Sequence, residues 1–209
     1  MWDNASRCPT FHRGVGCVKF FNKRKEVVEM CKLSDLTGQT ADGLLQKYNL
    51  GASVPVDMDK LLKGLHIVAQ GIDFTPTEVT LADRVERWGN ILGAVSVKDG
   101  NVSMFYRNDD TRDSVHFTIA HELAHCCLHA DKLSNGHILM RYDGYFADDE
   151  EKAANEFAGE LLIPEAMIRN DYINFSNHVI VLATSYDVPV HVMASRLKRL
   201  NLPLVGVEA

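Results

Sequence analysis

The 209-residue chain has no apolar run approaching the ~20 residues that a membrane-spanning helix needs. Its beginning also lacks the apolar core of a secretory signal, because "CVKFFNKRKEVVEM" (17–30) is broken by charge. The expectation is a cytoplasmic protein with no membrane partner. Cysteines are few and ill-spaced: Cys8, Cys17, Cys31, Cys126 and Cys127 make an odd number and include no CxxC pair. A disulfide framework is excluded on that ground, and reduced thiols are expected. A second zinc site built from Cys8, His12, Cys17 and Cys31 is not favoured. No internal repeat and no low-complexity tract occurs. Net positive charge is lacking too: the formal charge is -6, which argues against nucleic acid as the main partner.

What is present is the profile of a globular protein, with 46% hydrophobic and 24% charged residues. The length suits one domain with a small appendage and allows a sizeable core. The first 38 residues read as a basic arm (Arg7, Arg13, Lys19, Lys23, Arg24, Lys25, Lys32) with little periodicity and the composition of a disordered terminus. Residues 39–164 read as the main domain. Residues 165–209 read as a C-terminal helical region with a helix-turn-helix flavour, carrying Arg196, Lys198 and Arg199.

Within the main domain, "ADGLLQKYNLG" predicts a helix closed by Gly51, and "VPVDMDKLLKGL" a short helix capped near Asp57. A strand is expected at His66 to Gln70. "TPTE" at 75–78 is a capping box that opens a helix to about Trp88. Apolar, β-branched runs flank Asp99-Gly100, the signal of a tight hairpin. Asp109 and Asp110 offer caps for a long helix from about Thr111 to Ala130. A loop with Tyr142 and Tyr145 precedes a further helix, "DDEEKAANEFAGELLI", stopped by Pro164.

The long helix contains "HFTIAHELAHCCLH" (116–129), and in it HELAH. Residues four apart share a helix face, so His121 and His125 can aim two imidazoles at one point. Zinc takes neutral imidazole nitrogens at ~2.0–2.1 Å and wants four ligands. Glu122, beside His121, is placed to act as a base on a water at the metal without ligating the ion itself. The competing reading, a core helix with hydrogen-bonded histidines, has to bury two imidazoles and a carboxylate at considerable cost. Cys126 and Cys127 read as small core residues. His129 reads as a helix-end residue whose positive charge suits the dipole, and His116 as support or surface.

A third protein ligand is required. The continuation HExxHxxGxxH is excluded, since Leu128 and Asp131 stand where Gly and His would be. The alternative is a glutamate on a later helix, with Glu151 the candidate and Glu150, Glu156 and Glu160 its competitors; Glu151 also fits a capping box with Asp148. Asn155 lies four residues after Glu151, the offset for a residue that hydrogen-bonds a ligating histidine and fixes its tautomer. Tyr142, Tyr145 and His178 are candidates for an added oxyanion donor. The strand "NVSMFYRN" is a candidate for edge pairing with an extended substrate.

"HFTIAHELAHCCLH" followed by "EKAANEFAGELLIP" resembles the ImmA/IrrE metallopeptidases, whose pattern is FTxAHExxHxxxH and then ExxANxFAxxLLxP. The resemblance covers about Val54 to Leu202 and includes the closing "LATSYDVPVHVMASRLKRLNL", where Val188-Pro189 and Asn201 depart from the family's Val-Ser and Gly. The resemblance implies an α+β fold: a small, mostly antiparallel sheet packed on a zinc-binding helix pair, then a helical region. It implies one Zn2+ (or Mn2+ or Fe2+) held by His121, His125 and Glu151, with Glu122 as the catalytic base. It also implies an endopeptidase whose protein substrate is a helix-turn-helix repressor, an antirepressor of a phage or mobile element. The rival is a metal-containing regulator acting by contact, or by DNA binding, without proteolysis.

Overall fold

The computed structural model describes residues 30–72, 91–133, 138–142 and 149–206. The chain order there is α1 (Leu33–Leu36), α2 (Ala41–Lys47), α3 (Met58–Leu65), β1 (Val68–Ile72), β2 (Ile91–Lys98), β3 (Asn101–Arg107), α4 (Arg112–Leu128), a 3-10 turn (Ala130–Lys132), β4 (Ile138–Tyr142), α5 (Asp149–Leu162), α6 (Glu165–Asn174), α7 (Val179–Tyr186) and α8 (Val190–Arg199). The expected arm before residue 30, the helix opened at 75–78, and Tyr145 lie outside the described residues.

The fold is α+β with a mixed four-stranded sheet in the order β1-β3-β2-β4. β2 pairs antiparallel with both β3 and β4, while β1 runs parallel to β3. The β2–β3 hairpin turns where expected: Asp99 and Gly100 hold φ of 52° and 77°, the left-handed geometry this tight turn requires. One expectation fails here. β3 carries "NVSMFYR" and lies between β1 and β2, so both its edges are occupied and it cannot pair with a substrate strand. Among the described residues, β4 and β1 are the outer strands.

Local signals explain most helix limits. The Thr40 hydroxyl accepts from the Gly43 amide at 3.1 Å, and the Asp57 carboxylate from the Lys60 amide at 2.8 Å. α2 stops at Lys47 rather than near Gly51, because Asn49 takes the left-handed conformation (φ 53°) first. His66 does the same after α3 (φ 55°), so β1 begins at Val68, two residues later than expected. Neither aspartate caps α4 as expected: Thr111 is its N-cap, Asp110 accepts from the Thr111 amide, and Asp109 pairs with Arg107 at 2.8 Å.

α4 packs across β2 and β3 on one side and along α5 on the other. Alternation puts Val95, Val97, Val102 and Met104 into the core beneath α4. The same core takes in Leu161 and Leu162 of α5, Ile168 of α6, Leu182 and Tyr186 of α7, and Met193 and Leu197 of α8. It also takes in residues assigned from sequence to the arm. Cys31 and Leu36 are buried, the Cys31 amide donates to His66, and the Val102 amide donates to Cys31. Residues 31–38 are therefore structural, which their lack of periodicity concealed.

Candidate metal centre

α4 is buried almost throughout from Phe117 to Cys127, since the sheet covers one flank and α5 another. His121 and His125 lie on the flank that faces α5, and Glu151 comes from the first turn of α5. The His121 and His125 Nε2 atoms are 3.0 Å apart. Glu151 Oε2 lies 3.2 Å from His121 Nε2, and Oε1 lies 3.2 Å from His125 Nε2. One donor atom from each residue falls within 4.8 Å of the others, an arrangement able to hold a metal ion. Ligands ~2.05 Å from a tetrahedral ion stand ~3.3 Å from one another, close to the separations present.

The second nitrogens of the imidazoles are held as well. His121 Nδ1 is 2.9 Å from Asn155 Oδ1, and that oxygen only accepts. His121 therefore donates from Nδ1 and presents a bare lone pair at Nε2, the tautomer a metal ligand needs. His125 Nδ1 is 3.0 Å from His129 Nδ1. Where the sequence suggests a charged helix end, His129 contacts His125, and burial followed by the neighbouring imidazole lowers its pKa. Three acceptor atoms converging on one point repel unless a cation lies between them. This donor set fits a divalent ion.

Glu122, next to His121 in the chain, is fully buried at the β2 side of α4. A Cβ on Gly93 would stand 3.1 Å from Glu122 Oε1 and 2.3 Å from Thr118 Cγ2. Gly93 is thus the close-approach point that lets α4 settle on the sheet with Glu122 between them.

The competing carboxylates are engaged elsewhere: Glu150 pairs with Lys132, Glu156 with Arg199, and Glu160 with Arg196. His116 joins Arg112 on Asp187, at 3.0 and 2.8 Å, tying the start of α4 to the cap of α7. His178 is the residue before α7, bridged to Val205. Tyr142 ends β4. In the helix-turn-helix-like pair α7–α8, Arg196 is buried and donates to the Ile163 carbonyl, so two of the three C-terminal cations face α5. His191 was not singled out from sequence, yet its ring meets Phe117 edge-on at 6.3 Å, one turn before His121.

An HExxH helix facing a carboxylate from a second helix, laid on a small mixed sheet, is the architecture of a metallopeptidase. The family model Peptidase_M78, described as the IrrE N-terminal-like domain, matches residues 88–198, and the chain belongs to that family. Comparison with curated proteins gives no significant match.

Proposed function

We propose that the protein is a zinc-dependent endopeptidase of the cytoplasm whose substrate is a helix-turn-helix transcriptional repressor. Membership of a peptidase family supports a polypeptide substrate. The single observation that carries the chemistry is the convergence of His121, His125 and Glu151 beside the buried Glu122. In this reading the first three hold the ion, and Asn155 and His129 fix the tautomers of the imidazoles. When bound, the ion supplies Lewis acidity: it polarises the scissile carbonyl and lowers the pKa of a water from ~15.7 towards ~7. Glu122 takes the proton from the attacking water on a carboxylate oxygen and returns it to the leaving amine. Its burial keeps the carboxylate away from competing solvent. No helix among the described residues is long and apolar enough to cross a membrane.

The test is co-incubation of the pure protein with a repressor encoded beside it, read by intact mass. Two fragments are expected, with the cut abolished by chelator and by Glu122→Gln while zinc stays bound. A repressor left intact yet released from its operator would establish the contact regulator instead.

A further inference from the structure

A pocket of about 290 Å³ lies between α4, α5 and α8, bordered by Phe117, Asn155, Gly159, His191, Ser195 and Arg196, with Lys152, Glu156 and Arg199 also in its lining. It adjoins the metal centre directly, because Asn155 both lines it and holds His121. The volume is at the low end for a ligand site, room for a side chain rather than a nucleotide cofactor.

The charges in the pocket differ in their commitments. Arg199 is paired with Glu156, and Lys152 with the exposed Asp149 at 3.0 Å. Arg196 is the buried one, its side chain only 9% exposed. Its Nε donates to the Ile163 carbonyl at 3.2 Å and its Nη1 to Glu160 at 3.4 Å. Among the described residues Nη2 has no hydrogen-bond partner, and Arg196 lines the pocket. A guanidinium fixed at two nitrogens, with a third uncommitted and a serine and an asparagine in the same wall, selects a carboxylate.

We infer that this pocket receives an acidic side chain of the polypeptide substrate, two or three residues from the scissile bond. The inference rests on the peptidase reading. The spacing sets the register: Gly159 and Glu160, beside Arg196, lie eight and nine residues after Glu151 on α5, ~12 to ~13.5 Å at 1.5 Å per residue, a span that two or three extended residues at ~3.5 Å each and a glutamate side chain cover. α8, the second helix of the helix-turn-helix-like pair, thereby becomes a wall of the substrate site.

Two measurements test this. In the first, the protein is titrated with N-acetyl-glutamate amide and N-acetyl-glutamine amide, and the Arg196 Nε–H and Gly159 amide signals are followed by NMR. The glutamate compound is expected to bind roughly tenfold tighter, the margin of a charge-assisted hydrogen bond. Gly159→Leu should abolish that binding. A Cβ on Gly159 has nothing within 4 Å, so the larger side chain fills the pocket without disturbing the helix. Equal binding of both compounds, or binding that survives Gly159→Leu, overturns the inference. In the second, the zinc-loaded protein digests a proteome-derived peptide library. Enrichment of Asp or Glu two or three residues from the cut, lost in Gly159→Leu while other peptides are still cleaved, supports the subsite. Cleavage with no acidic preference, alongside tight binding of free succinate, overturns it in favour of a small-carboxylate effector site. If nothing in the library is cleaved, the peptidase reading and the subsite fall, while carboxylate binding stands on the NMR result.

Discussion

At the residue scale, the decisive feature is how each imidazole is held on the side away from the proposed ion. Asn155 and His129 each touch the Nδ1 of a proposed ligand, at 2.9 and 3.0 Å. Replacing such partners costs metal affinity by roughly 10–100-fold. Asn155→Ala and His129→Ala should each fall in that range in competition with a chromophoric chelator, with the fold retained; affinity unchanged in both would remove them from the site. The thiols give a pH prediction. Burial, with a smaller push from Asp35, raises Cys31 to about 11, and burial and then Cys31 raise Cys127 to about 12. Burial also pushes Cys126 well up. Because the folded state favours the protonated thiols, their contribution to stability is complete below the ordinary value near 9. It is lost as pH rises through about 11 to 12. At pH 8 the native protein should resist alkylation at all three, with at least a hundredfold less thiolate than a free cysteine. Peptide mapping after iodoacetamide reads this directly, and rapid labelling of Cys126 or Cys127 would contradict it.

At the element scale, the site depends on two contacts of α4: its seat on β2 and its alignment with α5. Gly93 governs the first. Gly93→Ala sets a methyl 2.3 Å from Thr118 Cγ2 and 3.2 Å from the Phe105 carbonyl, so α4 must move off the sheet. Overpacking of this kind costs about 1–3 kcal/mol, and the expected result is a lower melting temperature together with impaired activity. Unchanged melting and activity would show that α4 does not rest on the sheet at that point. Local signals made much of this legible in the sequence. The i, i+4 spacing of His121 and His125 put both on one helix face, and Asp99-Gly100 announced the hairpin. Glu151 is legible in part through the family resemblance, and Asn155 through its four-residue offset from Glu151. What stayed hidden was non-local. Nothing in "NVSMFYR" says that a parallel strand will cover its far edge. Nothing around Cys31 says that it will hydrogen-bond to both His66 and Val102.

At the scale of the whole molecule, one core joins the sheet, α4 and α5, and the C-terminal helices, so the proposed centre is coupled to global stability. An ion that binds only the folded state at a hundred times its Kd adds about 2.7 kcal/mol, a rise of roughly 5–10 °C in Tm for a chain of this size. Chelation should reverse it, and a melting curve indifferent to zinc would argue against the centre. The C-terminal helices contribute through Arg196 and Arg199, which pair with Glu160 and Glu156 and tie α8 to the C-terminal half of α5. The central claim is that His121, His125 and Glu151 together grip one divalent ion. Native mass spectrometry of the zinc-loaded protein and of Glu151→Ala tests it most directly, with circular dichroism checking that both are folded. One zinc per wild-type chain and none retained by the variant is the predicted result; a folded wild-type chain without zinc, or a variant that keeps a full equivalent, contradicts it.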